Sequence, residues 1–184
     1  MPKLLHKTML GSLCMGVVLV AGGCSNASRK TPDVRDNVSK ALDQAGYKDV
    51  SVAQDRDKGV VSLTGHVQSD REKAQAESIA RANAQGDVVA NEIAVLPPND
   101  QGNAKTVNSD LDAGIEKNLD AALVENHMNK RVKGSVKNGV VTLKGTVDSQ
   151  ATRSEAQKVA ASVPNVQQVV NELQVKYERA TSSK

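Results

Sequence analysis

A nine-residue pattern occurs twice in this chain of 184 residues. Residues 59–67 and residues 139–147 both follow Gly-Val-Val-x-Leu-x-Gly-x-Val, at an offset of 80 residues. The same offset relates residues 91–95 to residues 171–175, which both begin with Asn-Glu and end with Val. Self-similarity at one fixed offset is the signature of a repeated structural unit. The sequence therefore predicts two copies of one small module and argues against a single catalytic domain.

Each copy predicts the same order of elements, which is helix, strand, strand, helix, strand. Apolar residues at helical spacing open both copies, within residues 34–45 and 111–123. Thr31 is expected to cap the first helix of the first copy, and Ser69 and Ser149 are expected to cap the second helices. We therefore expect an α+β fold of two tandem αββαβ modules, each a small mixed three-stranded sheet with two helices on one face.

A tight hairpin is predicted at the centre of each copy. Asn138-Gly139 is a strong signal for a two-residue turn between antiparallel strands, and Lys58-Gly59 is its weaker counterpart. A last strand is predicted to close each copy, at residues 88–95 in the first and 166–175 in the second.

Gly65 and Gly145 occupy equivalent positions in the two hairpins. Because side chains alternate along a strand, both glycines are predicted to face the same side as the apolar residues of their strand. Glycine inside a strand often marks the close approach of another element. We expect these two glycines to let a helix pack close to the sheet.

The domain boundaries follow from these patterns and from composition. The segment between the two copies is rich in Pro, Asn and Gly, which is typical of a linker. The predicted divisions are a signal peptide at 1–23, a tether at 24–30, a first module at 31–96, a linker at 97–106, a second module at 107–178 and a tail at 179–184.

The amino terminus predicts export from the cytoplasm. Two lysines precede an apolar run over residues 9–20, which has the length of a secretory signal and is too short for a spanning helix. The following Ala-Gly-Gly-Cys resembles the lipobox of bacterial lipoproteins, which implies a lipid attached to Cys24. By the same resemblance, Ser25 implies a lipid-anchored position on the periplasmic face of the outer membrane. The alternative is cleavage after Ala27, which would give a soluble periplasmic or secreted protein.

Neither module carries a recognisable catalytic or metal-binding motif. After Cys24 the sequence has no cysteine, and His66 and His127 are isolated. It has no Gly-x-Ser-x-Gly elbow and no phosphate-binding Gly-Lys loop. We therefore expect no enzyme activity, no cofactor and no metal. Net charges of −3 for residues 31–96 and +3 for residues 104–184 also do not resemble a nucleic-acid-binding protein.

The order of elements, the duplication and the Gly-Val-Val hairpin together resemble the BON domain (bacterial OsmY and nodulation). Two such copies behind an export signal are similar to the dual-BON lipoproteins of the Gram-negative outer membrane. This resemblance implies a non-enzymatic envelope lipoprotein that binds anionic phospholipid and supports envelope integrity. The alternative is a periplasmic protein-interaction adaptor or an osmotic-stress protective protein, with an envelope protein as its partner. The sequence does not indicate an oligomeric state.

The second hairpin is the candidate site for lipid headgroup binding. Counting back from the Asn-Gly turn places Lys133 opposite Lys144, with Arg131 and Lys137 on the same face. Like charges directly opposite each other in a sheet are unfavourable, so an anionic headgroup would relieve the repulsion. The alternative is that these lysines only keep an exposed sheet face soluble.

Two other surfaces are less favourable for lipid. The first hairpin is expected to carry Asp55 and Asp57, with Ser62 and Thr64 opposite, and its carboxylates would repel an anionic headgroup. The first helix of the second module, predicted at residues 109–126, is acidic and has no aromatic anchor, which disfavours membrane insertion. The sequence thus favours a peripheral electrostatic contact through the second module.

Overall fold

The computed structural model describes residues 30–176 of the chain. The predicted signal peptide 1–23, the predicted lipid-attachment residue Cys24 and the predicted tail 179–184 lie outside the described residues. Among the residues that are described, no helix combines the length and the apolar character that a membrane crossing needs.

The predicted order of elements is confirmed in both copies. The first module consists of α1 (Arg35–Gln44), β1 (Val50–Asp55), β2 (Val60–Val67), α2 (Asp70–Asn83), β3 (Val88–Asn91) and β4 (Ala94–Val95). The second module consists of α3 (Gln101–Glu125), β5 (Val132–Lys137), β6 (Val140–Val147), α4 (Gln150–Ala161), β7 (Gln168–Asn171) and β8 (Gln174–Val175).

Each module contains one mixed sheet, as predicted. The central strand, β2 or β6, pairs antiparallel with the strand before it and parallel with the strands that follow the helix. The last strand, predicted to be continuous, is broken into β3 and β4 in the first module and into β7 and β8 in the second. Both parts keep one register against the central strand, since Leu63 pairs with Asn91 and His66 pairs with Ala94.

Two separate apolar cores lie between the helices and one face of each sheet. In the first module, buried residues of α1 and α2 meet the inward side chains of β2. In the second module, α3, α4 and β6 form the core in the same way. The largest fully buried side chains of the first core are Val34, Val38, Leu42, Val61, Leu63 and Ile93. Both helices of a module therefore cover one face of its sheet, and we call the other face the open face.

The amino termini of the second helices confirm the predicted caps. Ser69 Oγ accepts a hydrogen bond from the N–H of Glu72 at 3.3 Å. Ser149 Oγ accepts one from the N–H of Thr152 at 3.1 Å. Each serine thereby satisfies a backbone donor that has no partner inside the helix.

The predicted cap of α1 by Thr31 is wrong, because a side chain from β1 takes this role. Gln54 Oε1 accepts a hydrogen bond from the N–H of Val34 at 3.0 Å, immediately before α1 begins. The Thr31 hydroxyl instead donates to Asp87 at 3.1 Å. Gln54 Nε2 also donates to Asp87, at 2.7 Å, so the start of the module is tied to its sheet.

The glycines of the central strands are required for a different reason from the one predicted. Gly65 and Gly145 have φ angles of +110° and +137°, and a Cβ on either would overlap a backbone carbonyl oxygen next to the partner strand. The glycine that a helix approaches is Gly134, where a Cβ would overlap Cδ2 of Leu119 in α3. In the first module Val52 takes the equivalent position, opposite the central leucine of β2.

Helix α3 is longer than predicted. It begins at Gln101, whereas the sequence pattern placed this helix at residues 109–126. The predicted linker 97–106 is therefore irregular only as far as Asp100, which holds the N-cap position. After the two prolines no residue forbids a helix, since Gly102 costs only about 1 kcal/mol relative to alanine.

The two modules meet through the ends of their open faces. Val60 and Ala90 of the first module and Val140 and Val170 of the second form a small buried apolar cluster. The offset of 80 residues relates Val60 to Val140 and Ala90 to Val170, so each module contributes the same patch. This is the form of a two-fold dimer interface, in which equivalent surfaces meet, built here within one chain.

Ion pairs at this junction follow the same approximate symmetry. Lys58, in the turn of the first module, places Nζ 2.7 Å from Oε2 of Glu172. Lys137, beside the turn of the second module, places Nζ 3.3 Å from Oε2 of Glu92. The two glutamates are equivalent under the repeat, and each therefore accepts a lysine from the other module.

A single side chain covers the outer edge of β3. Gln168, at the start of β7, accepts a hydrogen bond from the N–H of Asn91 at 3.1 Å and donates one to the carbonyl oxygen of Val89 at 2.6 Å. These two backbone groups would otherwise be free to pair with another chain. The edges of β3 and β7 are thus brought together without a strand ladder between them.

Candidate functional site

The predicted cationic residues lie on the open face of the second module. Lys133 lies opposite Lys144 and Lys137 lies opposite Val140, which confirms the register predicted from the Asn-Gly turn. Because side chains alternate along a strand, Arg131 shares this face with both lysines of β5. The side chains of all four cations are exposed.

Two of the four cations are paired with carboxylates near the ends of the open face. Arg131 pairs with Asp148, which follows β6 in the same module. Lys137 lies at the junction and pairs with Glu92 of the first module. The side chains of Arg131 and Lys137 stay 56% and 55% exposed, so these are weak surface contacts. Lys137 also lies at the end of β5 that is far from Arg131.

Lys133 and Lys144 lie at the centre of this group of cations on the open face. Lys144 Nζ lies 3.9 Å from Glu172, beyond hydrogen-bond distance, and its side chain is 60% exposed. For Lys133, no carboxylate lies within ion-pair distance among residues 30–176. Two ammonium groups on directly opposite residues repel each other. This pair therefore carries positive charge that the described part of the chain compensates only weakly.

Two further lysines reach this surface and were not predicted from the sequence. The parallel pairing of β8 with the end of β6 places Lys176 beside Asp148. Lys58 comes from the first module and contacts Glu172. The register of the last strand against β6 could have located Lys176 from the sequence. The contact of Lys58 could not be found in this way, because 114 residues separate Lys58 from Glu172. The group of Arg131, Lys133, Lys144 and Lys176 is called here the cationic face.

The first hairpin differs from the second in its turn. Asp55 lies opposite Val60, so β1 and β2 are joined by a four-residue loop, residues 56–59. The two-residue turn predicted at Lys58-Gly59 is therefore wrong. The carboxylate of Asp55 accepts hydrogen bonds from the N–H groups of Asp57 and Lys58, both at 3.1 Å, which stabilises the longer loop.

This loop changes which residues share the open face of the first module. Asp57 lies in the loop, and Ser62 and Thr64 lie opposite small residues of β1. The expectation that Asp55 and Asp57 lie opposite Ser62 and Thr64 is therefore wrong. Strands β1 to β4 still contain no lysine or arginine. The open face of the first module thus bears small and acidic side chains where the second module bears cations.

Two lysines at the junction have displaced pKa values. The carboxylates of Glu172 and then Asp55 accept hydrogen bonds from Lys58 and raise the pKa of Lys58 above its usual value. Burial lowers the pKa of Lys73, a half-buried residue of α2. Lys73 Nζ donates to a backbone oxygen and a side-chain oxygen of the second module, at 3.2 and 3.3 Å. Both lysines therefore hold the first module against the second.

The two histidines of the described chain belong to no group of metal-ligating side chains. His66 is exposed at the end of β2. His127 is exposed just after α3 and has a φ angle of +56°. Within residues 30–176, no three His, Cys, Asp or Glu side chains are grouped so that they could hold a metal ion.

Comparisons with known protein families match both modules. The model of the BON domain matches residues 111–177. The model of the YscD/CdsD-like Bon-like domain 2 matches residues 31–86. The chain is 29% identical over 137 residues to the osmotically-inducible protein Y of Escherichia coli (strain K12), which covers 73% of this chain and 67% of that protein.

Solved structures of one protein also resemble the chain. Two structures of CdsD, a structural protein of the type III secretion system of Chlamydia trachomatis, each cover 80% of this chain at 13% and 14% identity. The matched regions make up 99% and 94% of the two CdsD structures, with TM-scores of 0.33 and 0.35. Scores this low carry no argument about how the two modules are arranged.

Proposed function

Because this chain belongs to the BON-domain family, we propose that it is an envelope protein whose second module binds anionic phospholipid at the membrane surface. The contact is peripheral and electrostatic, and it is made by the cationic face. In this proposal the protein performs no catalysis, and its adhesion to the membrane supports envelope integrity.

The Lys133–Lys144 pair is the observation that carries the proposal. Both side chains are exposed, and they lie directly opposite each other on β5 and β6. A basic residue close to an anionic membrane contributes about 1 kcal/mol. Arg131 is already paired with Asp148, so the four residues of the cationic face supply about 2–4 kcal/mol together. This energy gives reversible attachment that salt weakens.

The position of the first described residues also supports a membrane contact through this surface. Lys30 Nζ lies 3.5 Å from the carboxylate of Asp57 in the loop of the first hairpin, and the N–H of Thr31 donates to the carbonyl oxygen of Arg56 at 2.9 Å. The neighbouring loop residue, Lys58, contacts the open face of the second module. The described chain thus begins beside the surface that carries the cations.

A lipid attached to Cys24 would hold the first described residues, and with them the cationic face, near the membrane. Cys24 lies six residues before Lys30 and outside the described residues. Six extended residues span at most about 20 Å. An anchored chain would therefore keep the cationic face within reach of the membrane and raise its effective concentration there. We propose a lipid-anchored position on the periplasmic face of the outer membrane, with a soluble periplasmic protein as the alternative. Mass spectrometry of the mature amino terminus distinguishes an acylated Cys24 from a free residue further along.

Vesicle co-sedimentation tests the lipid contact. Residues 25–184, without the lipid, should pellet with vesicles containing phosphatidylglycerol, should stay soluble with phosphatidylcholine alone, and should be released at high salt. The variant K133E/K144E should not pellet. The control K117E/K158E makes the same charge change at exposed residues of α3 and α4 and should still pellet. Equal pelleting with both vesicle types, or equal loss in both double variants, would contradict the proposal.

A role in osmotic stress is the second candidate, favoured by the similarity to osmotically-inducible protein Y. In this case the chain is a protective protein or an adaptor that docks an envelope protein. Val107 and Leu111, which are 61% and 39% exposed on α3, offer an apolar contact for such a partner. Loss of a bound envelope protein in V107K/L111K, with unchanged vesicle binding, would support the adaptor.

A further inference from the structure

Glu172 lies between two lysines that come from different modules. Its Oε2 atom lies 2.7 Å from Nζ of Lys58, which donates a hydrogen bond, and 3.9 Å from Nζ of Lys144. The Glu172 side chain is only 9% exposed, whereas Lys144 is 60% exposed. A carboxylate that is withdrawn from water needs a charged partner. In this structure the first module supplies that partner.

We propose that Lys58 is a positioning residue for anion binding. By occupying Glu172, it leaves Lys144 and its cross-strand neighbour Lys133 free to hold the phosphate group of a lipid headgroup. The identity of the ligand rests on the proposed function, while the effect of Lys58 on Lys144 rests on the geometry alone. The raised pKa of Lys58, caused first by Glu172, agrees with a stable ion pair at this position.

Lys144 is the next cation within reach of Glu172 when Lys58 is absent. A lysine side chain is a flexible four-carbon chain. A movement of about 1 Å would bring Lys144 Nζ from 3.9 Å to hydrogen-bond distance of the carboxylate. Lys144 would then be neutralised and turned toward the last strand, away from Lys133. One contact from the first module therefore decides whether the second module presents two neighbouring ammonium groups or one.

Vesicle binding by residues 25–184 tests this role in three variants, with phosphatidylglycerol-containing vesicles as the probe. K58Q should weaken binding about five-fold, which corresponds to the loss of one basic residue near the surface. The control K40Q removes an exposed lysine from α1 and should weaken binding less than about two-fold. K58Q/E172Q should regain the affinity of the unmodified protein, because no carboxylate remains to capture Lys144. A double variant as weak as K58Q would overturn the proposal, since Lys58 would then contact the headgroup itself.

Lysine labelling provides a readout that needs no lipid. Acetylation with a limiting amount of N-hydroxysuccinimidyl acetate, followed by mass spectrometry, reports how accessible each amine is. Lys144 should react more slowly in K58Q than in the unmodified protein, while Lys133 should react at the same rate in both. K58R can keep the contact with Glu172 and should label like the unmodified protein. In E172Q, Lys144 should be acetylated at least as fast as in the unmodified protein.

The two readouts separate the two proposals. Unchanged labelling of Lys144 in K58Q would overturn the positioning role, whatever the vesicles show. Slower labelling of Lys144, together with no vesicle binding by the unmodified protein, would remove the proposed function and support the positioning role. Far-UV circular dichroism of K58Q and K58R verifies that the labelling is compared between folded proteins.

Discussion

Replacing Gly145 by alanine would test the strongest backbone constraint in the second module. Gly145 has a φ angle of +137°, and a Cβ there would overlap the backbone carbonyl oxygen of Arg131. The unfavourable φ alone costs about 1–3 kcal/mol. The overlap can be relieved only by parting β5 from β6 near the Val132–Gly145 pair, which costs about 1–3 kcal/mol in packing. G145A should therefore lower the free energy of unfolding by about 2–6 kcal/mol.

Urea unfolding followed by far-UV circular dichroism measures this loss, since the chain has no Trp whose fluorescence could report unfolding. The control is G114A in α3, where a Cβ would meet no atom within 4 Å. Removing a glycine from a helix interior should raise the free energy of unfolding by about 1 kcal/mol. A loss below about 1 kcal/mol for G145A would refute the reasoning, because the strain alone should exceed it.

Two other changes test the junction and the first hairpin. Q168A leaves the N–H of Asn91 and the carbonyl oxygen of Val89 without their partner, so the free energy of unfolding should fall by about 1–3 kcal/mol and amide hydrogen exchange in β3 should accelerate. The control Q174A, at an exposed position, should change neither the free energy of unfolding nor the exchange rates. The hydrogen bond from Lys58 holds the pKa of Asp55 below its usual value of 3.8, so the carboxylate stabilises the folded state above pH 3.8 and this contribution is lost as the pH falls through the lower folded-state pKa. In D55N the urea concentration at the unfolding midpoint should therefore fall less steeply at acid pH than in the unmodified protein. An equally steep fall in both proteins would show that this carboxylate makes no such contribution.

The parts of the fold that the sequence predicted are decided by short-range interactions. Asn138-Gly139 determined the turn of the second hairpin and, through it, every cross-strand pair of β5 and β6. Ser69 and Ser149 each cap a helix through a residue three positions away. The repeat itself then predicted that the second module would copy the first. Local patterns were therefore sufficient for the order of elements and for the cationic pair at the centre of the candidate site.

The parts that the sequence did not predict depend on contacts between distant residues. The contact of Lys58 with Glu172 joins the two modules, and no pattern within either module indicates it. The carboxylate of Asp55 stabilises a four-residue loop where Lys58-Gly59 suggested a shorter turn. Gln54 caps α1 from the neighbouring strand. In each case a side chain satisfies a partner whose position is known only once the chain has folded.

The two copies keep an apolar cluster and a glutamate at equivalent positions of their junction and differ elsewhere on their open faces. The equivalent glutamates each accept a lysine from the other module. Where the first module has Ser51 opposite Thr64, the second has Lys133 opposite Lys144. Lysines added only for solubility would serve equally well on the helices, and placing them opposite each other lowers the stability of the sheet. This placement therefore favours a function in which a bound anion compensates the repulsion, and K133E/K144E tests that function.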